Sequence, residues 1–276
     1  MQKHIKKILF PTDFSAMAVM GYKYCLELAK AWNASVHVLH VYRADLSVPV
    51  PNAVGHKLID ERRTNTQLKL GQFTYLKKSN EEHLLEGVEV HAHAAAGLPE
   101  DEIAAFSKRN EIDLIVMPTK GEHNILEVLF GSITTATMGK AKCPVLIIPE
   151  GASYKAFQNV AYAVDFNWEN VNHAVVPVDL AKFYDATLHY VHVYQGDEEN
   201  QSFRKIFSNQ SAAVDAKFHE LKGSSVQGRM KSFMKTEHID LLVTYSPPKN
   251  FLERLFRWST TRHIVENITV PLFVIR

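Results

Sequence analysis

The stretch LAKAWNASVHVLHVY at residues 28–42 returns as LAKFYDATLHYVHVY at residues 180–194, so the chain carries the same segment twice. The two stretches align without a gap at an offset of 152 residues (180 − 28), and this offset also places Asp13 on Asp165. A repeat of this length indicates two copies of one folding unit. We call residues 1–150 the first copy and residues 151–276 the second copy, and we predict that each is a domain.

Each copy alternates apolar runs with segments of helical periodicity. Ile8–Phe10 and Leu114–Met117 are apolar at consecutive positions. Such runs are typical of strands that are buried on both faces, as in a parallel sheet covered by helices. The sequence therefore predicts an α/β fold with two doubly wound parallel sheets. Residues 43–60 contain two prolines and a glycine and are predicted to be a loop, and Arg62–Lys78 is predicted to be a helix.

The second copy is the shorter one. Ile112–Val116 matches Ile239–Val243 at an offset of 127 residues (239 − 112), so 25 residues (152 − 127) are missing upstream of this match. Gln195–Lys235 contains no apolar run comparable to Val88–Ala95. We therefore expect the third strand of the second copy to be short or missing.

Composition narrows the function classes. The chain has 276 residues, 46% of them hydrophobic, and a formal net charge of +1, which gives no reason to expect a nucleic-acid partner. No apolar run reaches the roughly 20 residues of a membrane helix, and the amino terminus lacks the apolar region of a signal peptide. Cys25 and Cys143 lie among apolar residues, so we expect two reduced, buried thiols in a cytoplasmic protein.

Two segments could form a ligand site at the carboxyl ends of the strands, where open parallel sheets bind ligands. Pro11-Thr12-Asp13 follows the first strand, and a carboxylate there can accept hydrogen bonds from a ribose hydroxyl or an adenine amino group. Gly121, followed after nine residues by Gly131-Ser132, comes after the strand Leu114–Met117. Glycines allow close approach of backbone to phosphate, and Ser132 would cap a helix whose amino terminus favours an anion.

These residues resemble a tandem universal stress protein. The nucleotide loop of that family reads Gly-x2-Gly-x9-Gly-Ser/Thr, and here Pro118 occupies the first glycine position while the rest of the pattern is present. The resemblance extends to Gly97-x-Pro99 and to Lys142–Ile148, and it covers nearly all of residues 1–150 and, more loosely, residues 157–276.

The resemblance implies a Rossmann-like, five-stranded sheet of order 3-2-1-4-5 in each copy. It also implies binding of ATP, AMP or ADP, with any Mg²⁺ carried on the phosphates. In the family, the residues matching Asp13 and Val41 hold adenine and ribose, and the glycine loop holds the phosphates. Lys120 and His123 lie in that loop and face either phosphate or solvent. The predicted binding residues are Pro11, Thr12, Asp13, Val41, Pro118, Lys120, Gly121, His123, Gly131 and Ser132.

Both copies depart from the family pattern, to different degrees. Proline fixes φ and lacks an N–H, so Pro118 predicts weakened or altered nucleotide binding rather than its loss. In the second copy, Tyr245, Pro248 and Trp258 stand at the three glycine positions, and Trp258 would fill space that a phosphate needs. We expect the second copy to bind no nucleotide in the family manner and to serve as a partner domain.

Other interpretations of the same residues stay open. Asp13 caps the first helix or contacts a ligand, and for its counterpart Asp165 we favour capping. His37 and His40 are three positions apart on a strand and point to opposite faces, so they cannot bind one metal ion together. His91 and His93 share a face, but no acidic or cysteine ligand is evident nearby, so no metal site is predicted. Ser132 has no evident partners for a nucleophilic triad, and no catalytic residue is predicted.

The sequence thus predicts a cytoplasmic stress-response protein that binds ATP or a related adenine nucleotide in the first copy. It would act as a regulatory module with at most weak ATPase activity, because no base for activating water is evident. The alternative is a family member that binds no nucleotide and acts by protein interaction or through another small ligand. The family pairs domains through their last strands, so Val145–Ile148 and Leu272–Ile275 are predicted to form a pseudo-dimer, and homodimerisation is left open.

Overall fold

The described part of the chain contains ten strands and six α-helices. A computed structural model describes residues 5–42, 52–76, 81–119, 132–164, 174–194, 207, 211–223, 226–245 and 270–275. The chain divides into two compact units: Lys3–Thr119 with Phe130–Val145 form one, and Leu146–Arg276 is the main part of the other. The predicted domain boundary at residue 150 stays a prediction.

The first copy forms a parallel sheet in which β1 pairs with both β2 and β4. The order of its strands is 3-2-1-4-5, as the family resemblance implies. Its elements are β1 (Lys7–Pro11), α1 (Ala16–Trp32), β2 (Ser35–Tyr42), α2 (Asn52–Thr74), β3 (Val90–Ala96), α3 (Pro99–Arg109), β4 (Leu114–Thr119), α4 (Ser132–Lys140) and β5 (Val145–Pro149).

The second copy repeats this arrangement. Its strands follow the order 8-7-6-9-10, which is the order of the first copy with each strand replaced by its counterpart. Its elements are β6 (Asn159–Ala163), α5 (Val175–Tyr184), β7 (Thr187–Tyr194), β8 (Ala216–Lys222), α6 (Val226–Thr236), β9 (Leu241–Tyr245) and β10 (Leu272–Ile275). The predicted α/β class with doubly wound parallel sheets is confirmed.

The expectation that the third strand of the second copy is short or missing is wrong. β8 has seven residues, as many as β3, and it pairs in parallel with β7 along its whole length. Its sequence AKFHELK alternates polar and apolar residues, which suits a strand with one solvated face at the edge of a sheet. An apolar run was therefore the wrong pattern to search for at this position.

The predicted loop over residues 43–60 is also wrong in part, because α2 begins at Asn52. Pro51 directly precedes that helix, and proline is favourable near a helix start, where its missing N–H breaks no helical bond. The predicted helix start near Gly97 is confirmed: α3 has Pro99 in its first turn, followed by Glu100, Asp101 and Glu102. Among the described helices, none combines the length and the apolar character that crossing a bilayer requires.

Burial follows the predicted layering. Ile8, Leu9 and Phe10 of β1 are each 0% exposed, as expected for a central strand with helices on both faces. Cys25 of α1 is fully buried in the same core, and burial raises the pKa of its thiol. Cys143 is only half-buried, which differs from the expected burial, and the two cysteines form no disulfide bond with each other.

A carboxylate repeated in both copies fixes the start of the central strands. Asp113, just before β4, accepts hydrogen bonds from the backbone N–H groups of Lys6 and Lys7 at 3.0 and 3.1 Å. Its counterpart Asp240 accepts from the two equivalent N–H groups at the start of β6, at 2.8 and 3.0 Å. Because these contacts set the same register in both copies, differences at the other ends of the strands can be compared position by position.

Candidate functional site

The strand order brings most of the described candidate residues together at the carboxyl ends of neighbouring strands in the first sheet. β2, β1 and β4 are neighbours, and their carboxyl ends carry Val41, Pro11-Thr12-Asp13 and Pro118 respectively. Val41 and Pro118 are half-buried, whereas Asp13 is exposed. Ser132 is the first residue of α4, and its side chain is not described. Lys120, Gly121, His123 and Gly131 lie outside the described residues.

The turn after β1 is held by its own side chains. The hydroxyl oxygen of Thr12 accepts from the N–H of Phe14 at 3.0 Å, and a carboxylate oxygen of Asp13 accepts from the N–H of Ser15 at 2.9 Å. Phe14 adopts a φ of 64°, a conformation that costs a residue other than glycine free energy. The two bonds on either side hold that conformation and fix the Asp13 carboxylate at the strand end.

Ser15, not Asp13, caps the first helix. The hydroxyl of Ser15 accepts from the N–H of Ala18 at 3.1 Å, and the backbone of Ser15 is extended, as in an N-cap residue. The capping interpretation of Asp13 is therefore wrong. Asp165, for which capping was favoured, lies outside the described residues.

A histidine near the end of β2 ties this turn to the sheet. Nδ1 of His40 donates to the carbonyl of Thr12 at 2.7 Å, because a carbonyl can only accept. The second copy repeats the contact, with Nδ1 of His192 at 3.0 Å from the carbonyl of Val164. The ring of Phe14 also stacks on His40, with centroids 4.3 Å apart. The sequence did not reveal that His40 holds the turn of the candidate site.

Hydrogen bonding between β1 and β4 stops early. The register pairs Ile8 with Leu114 and Leu9 with Ile115, and these are its two pairs, although both strands continue beyond them. We call this line of contact the β1–β4 seam. It lies where the strand order reverses, at the place where doubly wound folds bind ligands.

Hydrogen bonding in the β1–β4 seam ends early because Pro11 has no N–H donor. The N–H of Thr12 donates to the carbonyl of Leu39 in β2 at 2.9 Å. Successive N–H groups of a strand point to opposite sides, so the nitrogen of Pro11 faces β4. In this register the next bond would run from residue 11 to the carbonyl of Val116, and proline has no N–H to give.

Pro118 removes the following bond in the same way. The N–H of Ile115 donates to the carbonyl of Pro144, on the β5 side of the strand, at 3.0 Å. By alternation, the nitrogen of Pro118 faces β1. The bond that it cannot make would run to the carbonyl of Pro11. The two prolines therefore leave two carbonyl groups of the seam without their ladder donors.

The equivalent β6–β9 seam of the second copy stays paired. Ala163 and Tyr245 stand where the first copy has its two prolines, and both have an N–H. The pairing continues through Tyr162 with Val243 to Ala163 with Thr244, two pairs further than in the first copy. The two described seams therefore differ: strand pairing ends after two pairs in the first copy and continues for two more in the second.

The ring of Pro118 packs against α1. A Cβ atom added at Gly21 would lie 2.7 Å from Cβ and 3.1 Å from Cγ of Pro118, so the ring fills the space above the glycine. Real Cβ atoms do not approach a ring atom this closely. The proline ring is thus accommodated by a glycine on the helix that covers the strand.

The histidines nearer the amino ends form a separate cluster. Nδ1 of His37 lies 3.1 Å from Nε2 of His93, and the ring of His91 stacks on His37. His40 contacts Thr12 instead, so the prediction that His37 and His40 point apart is confirmed. Burial, with a smaller contribution from the neighbouring histidines, lowers the pKa of His37 to about 4 and lowers that of His93. The expectation that no acidic residue lies nearby is wrong, because a carboxylate oxygen of Glu89 lies 3.1 Å from Nε2 of His91. Among the described residues, this cluster still contains no group of three ligand atoms that could hold a metal ion.

The fold and the strand-end residues define a class of protein: a tandem α/β protein with a candidate ligand site at the topological switch point of its first sheet. Residues 4–149 match the family model described as the universal stress protein family. This match spans more than half of the chain, and the protein therefore belongs to the universal stress protein family.

Individual relatives agree with this assignment. Universal stress protein MJ0531 of Methanocaldococcus jannaschii is 32% identical over 143 residues, which cover 52% of this chain and 81% of the relative. Universal stress protein YxiE of Bacillus subtilis is 29% identical over 147 residues, which cover 51% of this chain and 97% of the relative. The crystal structure of a universal stress protein from Archaeoglobus fulgidus shares the fold over 99% of this chain and 97% of its own, with a TM-score of 0.75 and 18% identity.

Proposed function

We propose that the first copy binds ATP or a related adenine nucleotide at the β1–β4 seam and that the second copy binds none. The protein then acts as a nucleotide-responsive module of the stress response. The observation that carries this proposal is the early end of hydrogen bonding between β1 and β4 at Pro11, two residues before Asp13, which has no equivalent in the β6–β9 pairing.

The chemistry of the seam suits an adenosine group. The carbonyls of Pro11 and Val116 and the carboxylate of Asp13 are all hydrogen-bond acceptors. Adenosine offers matching donors, namely the amino group of the base and the hydroxyls of the ribose. Val41, at the end of the neighbouring strand, supplies apolar surface for the face of the base. These groups select for a nucleoside, and the phosphates require a separate, anion-binding element.

We assign phosphate binding to the loop between β4 and α4. Gly121, Gly131 and Ser132 match the family pattern in that loop, and α4 begins at Ser132, so its free N–H groups and dipole favour an anion. Lys120 and His123 add donors on the same loop. A Mg²⁺ ion, where present, is bound by the phosphates.

The second copy serves as the partner domain. Its seam is closed by two further strand pairs, and the glycine positions of its loop hold Tyr245, Pro248 and Trp258. Pairing of the two domains through β5 and β10, homodimerisation of the chain and a cytoplasmic location remain parts of the proposal. So does the absence of efficient hydrolysis, because no base for water activation is evident among the candidate residues.

A matched pair of variants tests the proposal. In calorimetric titrations with Mg·ATP, we expect one site per chain. Asp13→Ala should weaken binding by at least about tenfold, because hydrogen bonds to a charged group contribute about 1.5–3 kcal/mol. Asp165→Ala changes the equivalent residue of the second copy and should leave the affinity unchanged. Two equal sites, or equal effects of the two substitutions, would refute the proposed asymmetry.

Pro118 supports a second candidate, a family member that binds no nucleotide and acts through a protein partner or another small ligand. Its nitrogen cannot donate to a ligand, and its ring occupies space where the family has a glycine. Absence of any heat of binding with ATP, ADP and AMP at millimolar concentration would favour this candidate over the first.

A further inference from the structure

The second copy contains a cluster of metal-ligating side chains in the first half of β7, in the middle of β8 and after α6. His189 is the third residue of β7, His219 lies in β8, and Glu237 directly follows α6. One ligand atom from each of the three lies within 4.8 Å of the others, and among the described residues this is the group of three that could hold a metal ion. The sequence predicted no metal site.

The distances are close to those of a coordination sphere. Nδ1 of His189 is 3.1 Å from Nε2 of His219 and 3.7 Å from a carboxylate oxygen of Glu237. Two nitrogen ligands of a tetrahedral Zn²⁺ ion, each about 2.0–2.1 Å from the metal, are themselves separated by about 3.3 Å. The Glu237 side chain is 29% exposed, so it can rotate towards the two rings, and an ion can enter from its side.

A further residue orients the buried ring for metal binding. Nε2 of His189 lies 3.2 Å from Oδ1 of Asn159, and Nδ2 of Asn159 donates to the carbonyl of His238 at 3.4 Å. Since the amide nitrogen is engaged by a carbonyl, its oxygen faces the imidazole, and His189 must donate from Nε2. The lone pair then lies on Nδ1, which points at His219 and Glu237. Histidine ligands of metals are held by this kind of outer hydrogen bond.

Without a metal ion, the carboxylate of Glu237 faces a nitrogen of His189 that cannot donate a hydrogen bond to it. A carboxylate oxygen of Glu237 lies 3.7 Å from Nδ1 of His189, the nitrogen that carries a lone pair rather than a proton. A cation placed between the three ligand atoms satisfies all of them at once.

We propose that His189, His219 and Glu237 form a binding site for a divalent transition-metal ion, with Zn²⁺ the best match to two imidazoles and one carboxylate. The ion takes the place of the proton that lies between Nε2 of His219 and Nδ1 of His189. That proton moves to Nδ1 of His219, so both imidazoles stay neutral. A fourth position is left for water. It links α6 to β7 and β8 and thereby stabilises the second copy. The site is independent of the proposed nucleotide crevice.

The first copy provides a natural control for this site. It has the same pair of histidines, with Nδ1 of His37 at 3.1 Å from Nε2 of His93, and each pair packs on an equivalent phenylalanine. Asn110 occupies the position that Glu237 has in the second copy, so no carboxylate stands at that position. Glu89 contacts His91 instead and completes no three-ligand group with His37 and His93. The proposal therefore requires binding at one histidine pair and not at the other.

The test is a titration of the full chain, stripped with a chelator, with Zn²⁺ and separately with Co²⁺, whose absorption spectrum reports tetrahedral coordination. We expect one site that Glu237→Gln and His219→Gln each weaken at least about tenfold, since even outer-shell changes cost 10–100-fold. His93→Gln should leave that site unchanged. Zn²⁺ should raise the Tm of the wild type and of His93→Gln, but not that of Glu237→Gln.

Glu237→Gln keeps the shape of a partly exposed side chain, so this variant is expected to fold, which circular dichroism verifies. Equal Zn²⁺ affinity in the wild type and the Glu237→Gln and His219→Gln variants would overturn the proposal and would assign any binding to other histidines of the chain. So would a Co²⁺ complex without a tetrahedral spectrum. Neither result bears on nucleotide binding, which the Asp13 variants test separately.

Discussion

Gly21 determines whether a proline can stand at position 118. Its α-carbon lies under the Pro118 ring, and an added Cβ would meet ring atoms at 2.7 and 3.1 Å. Glycine in a helix interior costs about 1 kcal/mol relative to alanine, so α1 carries an intrinsic penalty at this position. The close packing against β4 explains why α1 has a glycine here.

We therefore predict that Gly21→Ala destabilises the protein by about 1–3 kcal/mol despite the better helix propensity of alanine, because the ring or the helix must move. Gly71→Ala is the matched control: Gly71 also lies in a helix, nothing lies within 4 Å of its added Cβ, and alanine there should stabilise by up to about 1 kcal/mol. Urea unfolding of both variants checks this. If Gly21→Ala is as stable as Gly71→Ala, the described packing of Pro118 is incorrect.

At the residue scale, the sequence revealed which side chains cluster but not how each is used. Asp13 was correctly placed after the first strand, but periodicity could not show that Ser15 makes the capping bond. The choice depends on the φ of 64° at Phe14, which shifts the helix start by two residues. Local propensity does not predict a phenylalanine in the left-handed conformation, because the contact that stabilises it is made with His40 in another strand.

The β1–β4 seam shows how two residues change the behaviour of whole strands. Both copies have the same fold and the same register at the strand starts. They diverge after the second pair, where the first copy lacks two N–H donors. The prolines were visible in the sequence, but their effect depends on which neighbouring strand each nitrogen faces, and that is known only from the tertiary pairing.

We predict that Pro11→Ala extends the β1–β4 seam. The new N–H can donate to the carbonyl of Val116, so the amide of residue 11 should exchange with solvent more slowly than the exposed amides of the following turn. The same variant should weaken ATP binding, because the bond occupies an acceptor of the proposed crevice. Amide exchange by NMR and calorimetry measure the two effects. Fast exchange at residue 11 with unchanged affinity would show that the proline does not set the seam.

The histidine pair between β2 and β3 makes stability depend on pH. Burial lowers the pKa of His37 to about 4 and lowers that of His93, so between this value and the ordinary value of 6.5 the unfolded chain binds more protons than the folded one. The free energy of unfolding should therefore fall as the pH decreases from 6.5 towards 4. Urea midpoints at pH 7 and pH 5 measure the decrease, with chelator present. His37→Gln should reduce it, and an unchanged decrease would assign the effect to other groups.

β8 illustrates a limit of sequence patterns at the scale of elements. Apolar runs located the central strands, because burial on both faces leaves few polar residues there. An edge strand has one solvated face, so AKFHELK resembles an exposed segment as much as a strand. The 25-residue difference between the copies was read from the sequence, but it removed part of the connection before β8 and not the strand itself.

At the scale of the whole molecule, the repeat determined most of what could be predicted. Recognising two copies gave the domain organisation, and the apolar runs gave the fold class. The strand order was what the family resemblance implied. The division of roles between the copies depends on differences at a few positions, such as Pro11 against Ala163 and Pro118 against Tyr245. The effect of these differences on hydrogen bonding between strands can be derived only when the strand pairing is known.

Hydrogen–deuterium exchange of the whole chain, with and without saturating Mg·ATP, tests the division of roles most directly. The account predicts that nucleotide slows exchange at the carboxyl ends of β1 and β4 and in the turn around Asp13. It predicts no change at the equivalent ends of β6 and β9, around Ala163 and Tyr245. Equal protection in both copies, or protection in the second copy alone, would contradict the claim that only the first copy keeps an open nucleotide crevice.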